Sequence, residues 1–333
     1  MMKTKSMKIT YVFNKNLPII KEGWQGNIRI KNSFHNTEIP EKSLLPKVLK
    51  WKLSTNPQKQ EKKQENYSLQ ILPFDNRAMP KNSIVWLGHA SFLININGKK
   101  LLTDPCFFDI PTAKRKAKLP CNIEALNDID YLLVSHDHRD HLDQKTVEYL
   151  FRVNPEMEIL TALNMTTLLQ SFKLPKVKIQ EAGWYQSYQI NADFEIIFVP
   201  ARHWGRRGAR DFNKRLWGGF IIKTASTSIY FSGDTAYSDV FKEIHNTFGD
   251  IDICLLPIGA YAPKYMMETS HTTPEEAYQI FKDLGGKTMI PMHYGTYDLS
   301  DEPLGEPIKR LRKVFTLKDT VLKELLVGEV FAI

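Results

Sequence analysis

The stretch Tyr131-Leu132-Leu133-Val134-Ser135-His136-Asp137-His138-Arg139-Asp140-His141 decides how this chain is read. Its opening residues, YLLVS, form a short apolar run of the kind found in fully buried strands. Residues two apart on an extended backbone point to the same side, so His136 and His138 can converge on one cation from the strand's end. Asp140 and His141, in the turn beyond, can address a second cation beside it. Four nitrogen and oxygen donors between residues 136 and 141 are far denser than chance. The competing reading is a hydrated surface turn rich in histidine.

Three further donors follow, each at the end of an apolar run. FEIIFVPARHW (194–204) delivers His203, SIYFSGDT (228–235) delivers Asp234, and KTMIPMHYGT (287–296) delivers His293. Loops at strand ends are where a rigid sheet presents functional groups. Of nine histidines, only His35 and His245 lie outside these segments and those around His89 and His271. A lone histidine is more often a satisfied core residue; the ordered set reverses that expectation. Neutral imidazole and carboxylate suit zinc, and manganese or iron accept the same donors. Two cations about 4 Å apart lower the pKa of a shared water and stabilise charge developing on a phosphoryl or acyl group, so no Ser or Cys nucleophile is required.

Strand patterns surround this segment. IVWLG (84–88) and SFLINI (91–96) are rich in β-formers, and Asn97-Gly98 before KKLLTD (99–104) signals a type I′ hairpin. Helical stripes alternate with them: Val147, Leu150 and Phe151, then Val240, Phe241 and Ile244. The clearest helix runs from Thr273-Pro274-Glu275-Glu276 to Leu284, with capping-box spacing, Pro at the first helical position and Gly285 to close it. Strands interleaved with helices indicate an α/β layered architecture. FLININGKKLLTD (92–104) and FIIKTASTSIYFSGD (220–234) are both hairpin-like and end in Asp, which suits a duplicated sandwich but also occurs by chance.

The chain has 333 residues, 42% hydrophobic and 25% charged, which excludes collagen-like, wholly disordered and membrane-embedded classes. Its net charge is +8, yet residues 1–66 hold 14 Lys plus Arg against 5 Glu, so the remainder has 31 basic and 32 acidic residues. The excess belongs to an amino-terminal arm, read as an anchor for an anionic lipid surface or as a solvated extension. NPQKQEKKQEN (56–66) reads as a solvated linker or loop, giving an arm and linker over 1–66 and a catalytic domain over 67–333. Cys106, Cys121 and Cys254 lack CxxC spacing, so no disulfide framework is expected. The first residues lack the apolar core of a signal peptide, and a cytoplasmic location follows as the expectation.

The ordered donors resemble the metallo-β-lactamase superfamily, with its HxHxDH motif, third His, bridging Asp and last His. That resemblance implies an αββα sandwich with an amino-terminal extension and a binuclear, usually zinc, centre. Carried over by position, His136, His138 and His203 would hold one metal, Asp140, His141 and His293 the other, and Asp234 would bridge them. A bridging carboxylate where antibiotic-cleaving members commonly have Cys points away from β-lactamase activity. WLGHASFLI (86–94), TDPCF (103–107), NKRLWGG (213–219), PIGAY (257–261) and HTTPEEA (271–277) resemble, more narrowly, the N-acylphosphatidylethanolamine-hydrolysing phospholipase D family. This implies phosphodiester hydrolysis by a hydroxide bridging two zinc ions, with Asp140 and His271 as catalytic residues and His89 orienting site groups from behind the ligands. It also implies a phospholipid substrate and a homodimer, while peripheral membrane contact is the expectation drawn from the basic arm.

Two other functions fit parts of the pattern. GHAS and GDT elements are similar to those of L-ascorbate-6-phosphate lactonase. Arg202, Arg206, Arg207, Arg210, Lys214 and Arg215 cluster beside His203 and could contact phosphates of a nucleic acid or a lipid. No aromatic stacking motif accompanies them, so a nucleic-acid partner is not expected.

Overall fold

A computed structural model describes residues 8–36, 45–318 and 320–333. Two seven-stranded sheets carry the fold. The first runs Val330–Ala332, Ser83–Trp86, Phe92–Ile96, Lys99–Thr103, Tyr131–Val134, Glu158–Ala162, Ile179–Ala182. The second runs Gln186–Ser187, Glu195–Val199, Gly219–Lys223, Ser228–Phe231, Ile253–Pro257, Thr288–Met292, Val321–Leu322. In both, the first four strands are antiparallel neighbours and the last three join in parallel. The likeness of 92–104 to 220–234 is therefore a likeness of topology: each segment supplies the third and fourth strands of its own sheet.

The sheets pack face to face, with Phe92 of one against Phe231 of the other at 6.4 Å between ring centres. Strands such as Phe92–Ile96 and Tyr131–Val134 are buried at every position because helices cover the outer faces. This is the αββα sandwich with an amino-terminal extension. All three cysteines are free.

Local chemistry explains the elements that aim the site. Ile96 faces Lys99 across Asn97-Gly98, whose φ values of 54° and 88° are those of a type I′ turn. Helix Pro274–Asp283 begins in a complete capping box between Thr273 and Glu276. It ends in a Schellman motif: Gly286 N–H bonds Phe281 O, Gly285 N–H bonds Lys282 O, and Gly285 has φ of 58°. The helix lies against Ile253–Pro257 and presents His271 at its amino-terminal approach.

The arm forms a three-stranded antiparallel sheet from Ile9–Val12, Asn27–Ile30 and Ser33–Phe34. Leu17 and Phe34 enter the main core, and Gln186 is tied to the backbone of Asn14 and Leu17. Helices Leu45–Leu53 and Lys59–Gln64 follow. The second occupies the stretch expected to be linker or loop. It buries no residue, and polar groups in and around it bond segment 298–306.

Candidate metal centre

His136 and His138 leave the carboxyl end of Tyr131–Val134, and His203 follows Glu195–Val199 across the facing sheet. His138 Nδ1 lies 2.9 Å from His136 Nε2 and 3.2 Å from His203 Nε2. Asp234, beyond Ser228–Phe231, places Oδ2 at 4.0 Å from His136 Nε2 and 3.8 Å from His203 Nε2. A second set adjoins it. Asp140 Oδ2 is 3.5 Å from His141 Nε2 and 3.6 Å from His293 Nε2. Asp234 reaches this set as well, with Oδ2 3.1 Å from His141 Nε2 and Oδ1 3.1 Å from His293 Nε2. All seven donors marked in the sequence thus meet, and Asp234 is common to both sets.

Their hydrogen-bond partners fix which nitrogens face inward. His203 Nδ1 is 2.8 Å from Ser270 O, which can only accept, so that nitrogen carries the hydrogen. His141 Nδ1 likewise donates to Asp104 Oδ2 at 2.8 Å. His136 Nδ1 pairs with Ser135 Oγ at 2.8 Å. Inside the cluster, His141 Nε2, His293 Nε2 and Asp234 Oδ1 are buried without hydrogen-bond geometry to any partner. Convergent imidazole nitrogens and a carboxylate left unsatisfied in this way fit divalent cations of the zinc class.

The electrostatics agree. Burial holds His136, His138 and His203 below the usual imidazole range, so they are neutral donors. Burial pushes Asp140 and Asp234 up, but the neighbouring histidines, His141 foremost, outweigh it and hold both well below the carboxylate range. Burial also opposes charge on His141 and His293, yet Asp234 and Asp140 prevail; His141 lies well above its usual value and His293 is raised to about 9. The two carboxylates therefore demand positive charge at this point, which a cation supplies while releasing protons.

His89 lies behind the second set, with Nε2 3.1 Å from Asp140 Oδ2, and burial lowers its pKa to about 3. His89 is also near enough to join Asp140, His141 and His293 as a donor. His271 Nδ1 stands 3.8 Å from Asp234 Oδ2, and burial lowers its pKa to about 4. The site opens on Asp140 and His271, whose side chains are 16% and 15% exposed, whereas Asp234 and His293 are at 1%.

Several site groups escaped the sequence reading. Asp104 is fully buried and takes the Ser135 amide and hydroxyl besides His141. Its place after Lys99–Thr103 matches that of Asp234 after Ser228–Phe231, and that correspondence could have marked it. Asp137, inside the histidine motif, receives Arg215 Nε at 2.6 Å. Arg207 caps the carbonyls of Asp137, His138 and Leu142, and Arg202 bonds Tyr237 O. Much of the arginine cluster is therefore turned inward to fasten the motif, while Arg206 and Arg210 stay exposed. Glu302 accepts from the amides of Ala260, Tyr261 and Ala262 and so holds the PIGAY loop against His293.

A sandwich with this centre defines a class: residues 99–294 match the beta-lactamase superfamily domain. N-acyl-phosphatidylethanolamine-hydrolyzing phospholipase D 1 of Caenorhabditis elegans is 33% identical over 264 residues, 74% of each chain. The mitochondrial N-acyl-phosphatidylethanolamine-hydrolyzing phospholipase D of Saccharomyces cerevisiae is 34% identical over 237 residues, 68% of this chain and 50% of that protein. The chain belongs to this phospholipase D family within the beta-lactamase superfamily. Among solved structures, a metallo hydrolase of the archaeon Ignicoccus hospitalis superimposes with a TM-score of 0.55 at 20% identity, covering 75% of this chain and 97% of that one. An isothiocyanate hydrolase from Delia radicum gut bacteria gives 0.57 at 17%, covering 75% and 99%. At these identities the likeness is one of fold. The protein is a metal-dependent hydrolase of the metallo-β-lactamase fold.

Proposed function

We propose that the protein is a phosphodiesterase of phospholipase D type, acting on N-acylphosphatidylethanolamine or a related phosphodiester with two zinc ions. The observation that carries this reading is Asp234, within 3.1–4.0 Å of nitrogens from both histidine sets. His136, His138 and His203 would hold one ion, Asp140, His141 and His293 the other, with Asp234 shared. Two ions so held would supply an activated water at neutral pH and would neutralise charge developing on the phosphoryl oxygens.

The chain's own residues do the rest. Asp104, Ser135 and Ser270 orient the imidazoles, and His89 orients Asp140. Asp140 and His271 line the opening, where a diester approaching the centre meets them first. His271 contacts the reacting phosphodiester and moves a proton at its ring nitrogen. Arg202, Arg207 and Arg215 turn inward, so only Arg206, Arg210 and Lys214 of the basic cluster remain exposed to meet phosphates.

The arm supports peripheral contact with an anionic membrane. Leu49 and Leu53 on helix Leu45–Leu53 are 61% and 78% exposed beside Lys50 and Lys52. No helix among the described residues is long and apolar enough to cross a membrane. A cytoplasmic, membrane-peripheral homodimer completes the proposal, and sedimentation checks the dimer. The decisive assay offers the purified zinc-loaded protein N-acylphosphatidylethanolamine, a soluble phosphodiester and a phosphorylated lactone. Release of phosphatidic acid is expected; turnover of the lactone alone would establish the lactonase reading instead.

A further inference from the structure

The amino-terminal arm touches the two loops that frame the centre. From one side, Asn36 Nδ2 donates to the backbone oxygen of His203 at 3.0 Å. Just before it, Phe34, with no exposed surface, bonds Asn213 O through its amide at 2.7 Å, and Ser33 Oγ bonds Phe212 O. Gly205 and Asn213 are in turn joined by two hydrogen bonds, so residues 33–36 grip both ends of the 205–213 loop. From the other side, Trp51 Nε1 donates to Asp301 Oδ1 at 3.0 Å and Asn56 Nδ2 to Asp301 O at 2.9 Å. Lys62 pairs with Asp298, and Glu65 accepts the Gly305 amide. The gripped segment carries Glu302, which holds the loop packed on His293.

We infer that the arm is a positioning element of the metal centre, with Asn36 the residue that sets the backbone of His203. His203 is anchored at two points: Ser270 O holds Nδ1 of its ring, and Asn36 holds its backbone carbonyl. Ser270 O sets the tautomer, and the two points together set the direction of Nε2, the atom that faces His138 Nδ1. Removing Asn36 frees one of them and leaves a part-buried carbonyl without that donor. The inference rests on His203 being a metal ligand, but not on the identity of the substrate.

Competition with a chromophoric chelator measures zinc affinity in the full chain. Asn36→Ala and Asn36→Asp, neither of which can donate to the carbonyl, should each weaken one zinc equivalent about tenfold. Lys21→Met is the comparison: it breaks the arm's ion pair with Glu243, on helix Val240–Phe248 and in neither loop that frames the centre, and should lower the thermal midpoint while leaving zinc affinity unchanged. His203→Ala should lose one equivalent. Wild-type zinc affinity in both Asn36 variants, with His203→Ala defective, would overturn the inference alone. Equal weakening in Lys21→Met would also overturn it, since the arm would then act only through overall stability. A fully zinc-competent His203→Ala would overturn the ligand assignment and this inference with it.

Discussion

Asp104 holds the imidazole of His141 from behind, with Oδ2 2.8 Å from Nδ1 and Oδ1 2.7 Å from the Ser135 amide. Asp104→Asn keeps the shape but removes the charge that favours a donating Nδ1. Zinc affinity by chelator competition should fall about 10- to 100-fold, with the fold intact by circular dichroism. His271→Ala should behave oppositely, keeping both metal equivalents while turnover slows about 100-fold or more. Metal loss in that variant would make His271 a ligand. The histidines that converge were legible because they crowd one strand end or follow apolar runs. Their supports were not, because Asp104 and His141 are 37 residues apart, His203 and Ser270 67, and Ala260 and Glu302 42.

Elements whose determinants are local could be read directly. Asn97-Gly98 forms its turn through positive φ at both residues, and Gly98→Ala should cost about 1 kcal/mol in urea unfolding because alanine resists that conformation. Thr273→Ala should cost about 1 kcal/mol by loss of the cap. Helix Lys59–Gln64 was hidden because it buries no residue and its partners lie about 240 residues away. Three strand starts also meet at Asp252, bonded to Ser228 and Lys287. Burial raises the Asp252 carboxyl, but Lys287 and Ser228 pull it further down, to a net value below its ordinary one. A carboxyl with a lower pKa folded than unfolded stabilises above the unfolded value of about 3.9, and that contribution fades as pH falls through the folded one. The thermal midpoint of Asp252→Asn should therefore drop less than that of wild type between about pH 5 and pH 3.

At the scale of the molecule, the duplicated pairing of the two sheets places Asp104 and Asp234 beyond the fourth strand of each, where one holds His141 from behind and the other meets both histidine sets. The basic arm takes on a second meaning. Its charge read as an anchor or a solvated extension, yet Leu17 and Phe34 lie in the core and Asn36 reaches a site histidine. Deleting residues 1–66 would therefore expose core surface; replacing Lys50 and Lys52 by Gln tests membrane contact more cleanly, with vesicle binding expected to fall and soluble-diester turnover to hold. Central to the proposed chemistry is one carboxylate shared between two cations. The most direct measurement is elemental analysis of wild type and Asp234→Asn alongside phosphatidic acid release from N-acylphosphatidylethanolamine. Two zinc equivalents in the wild type, with reduced metal and abolished release in the variant, are predicted; a variant with full metal content and unchanged turnover would contradict the account.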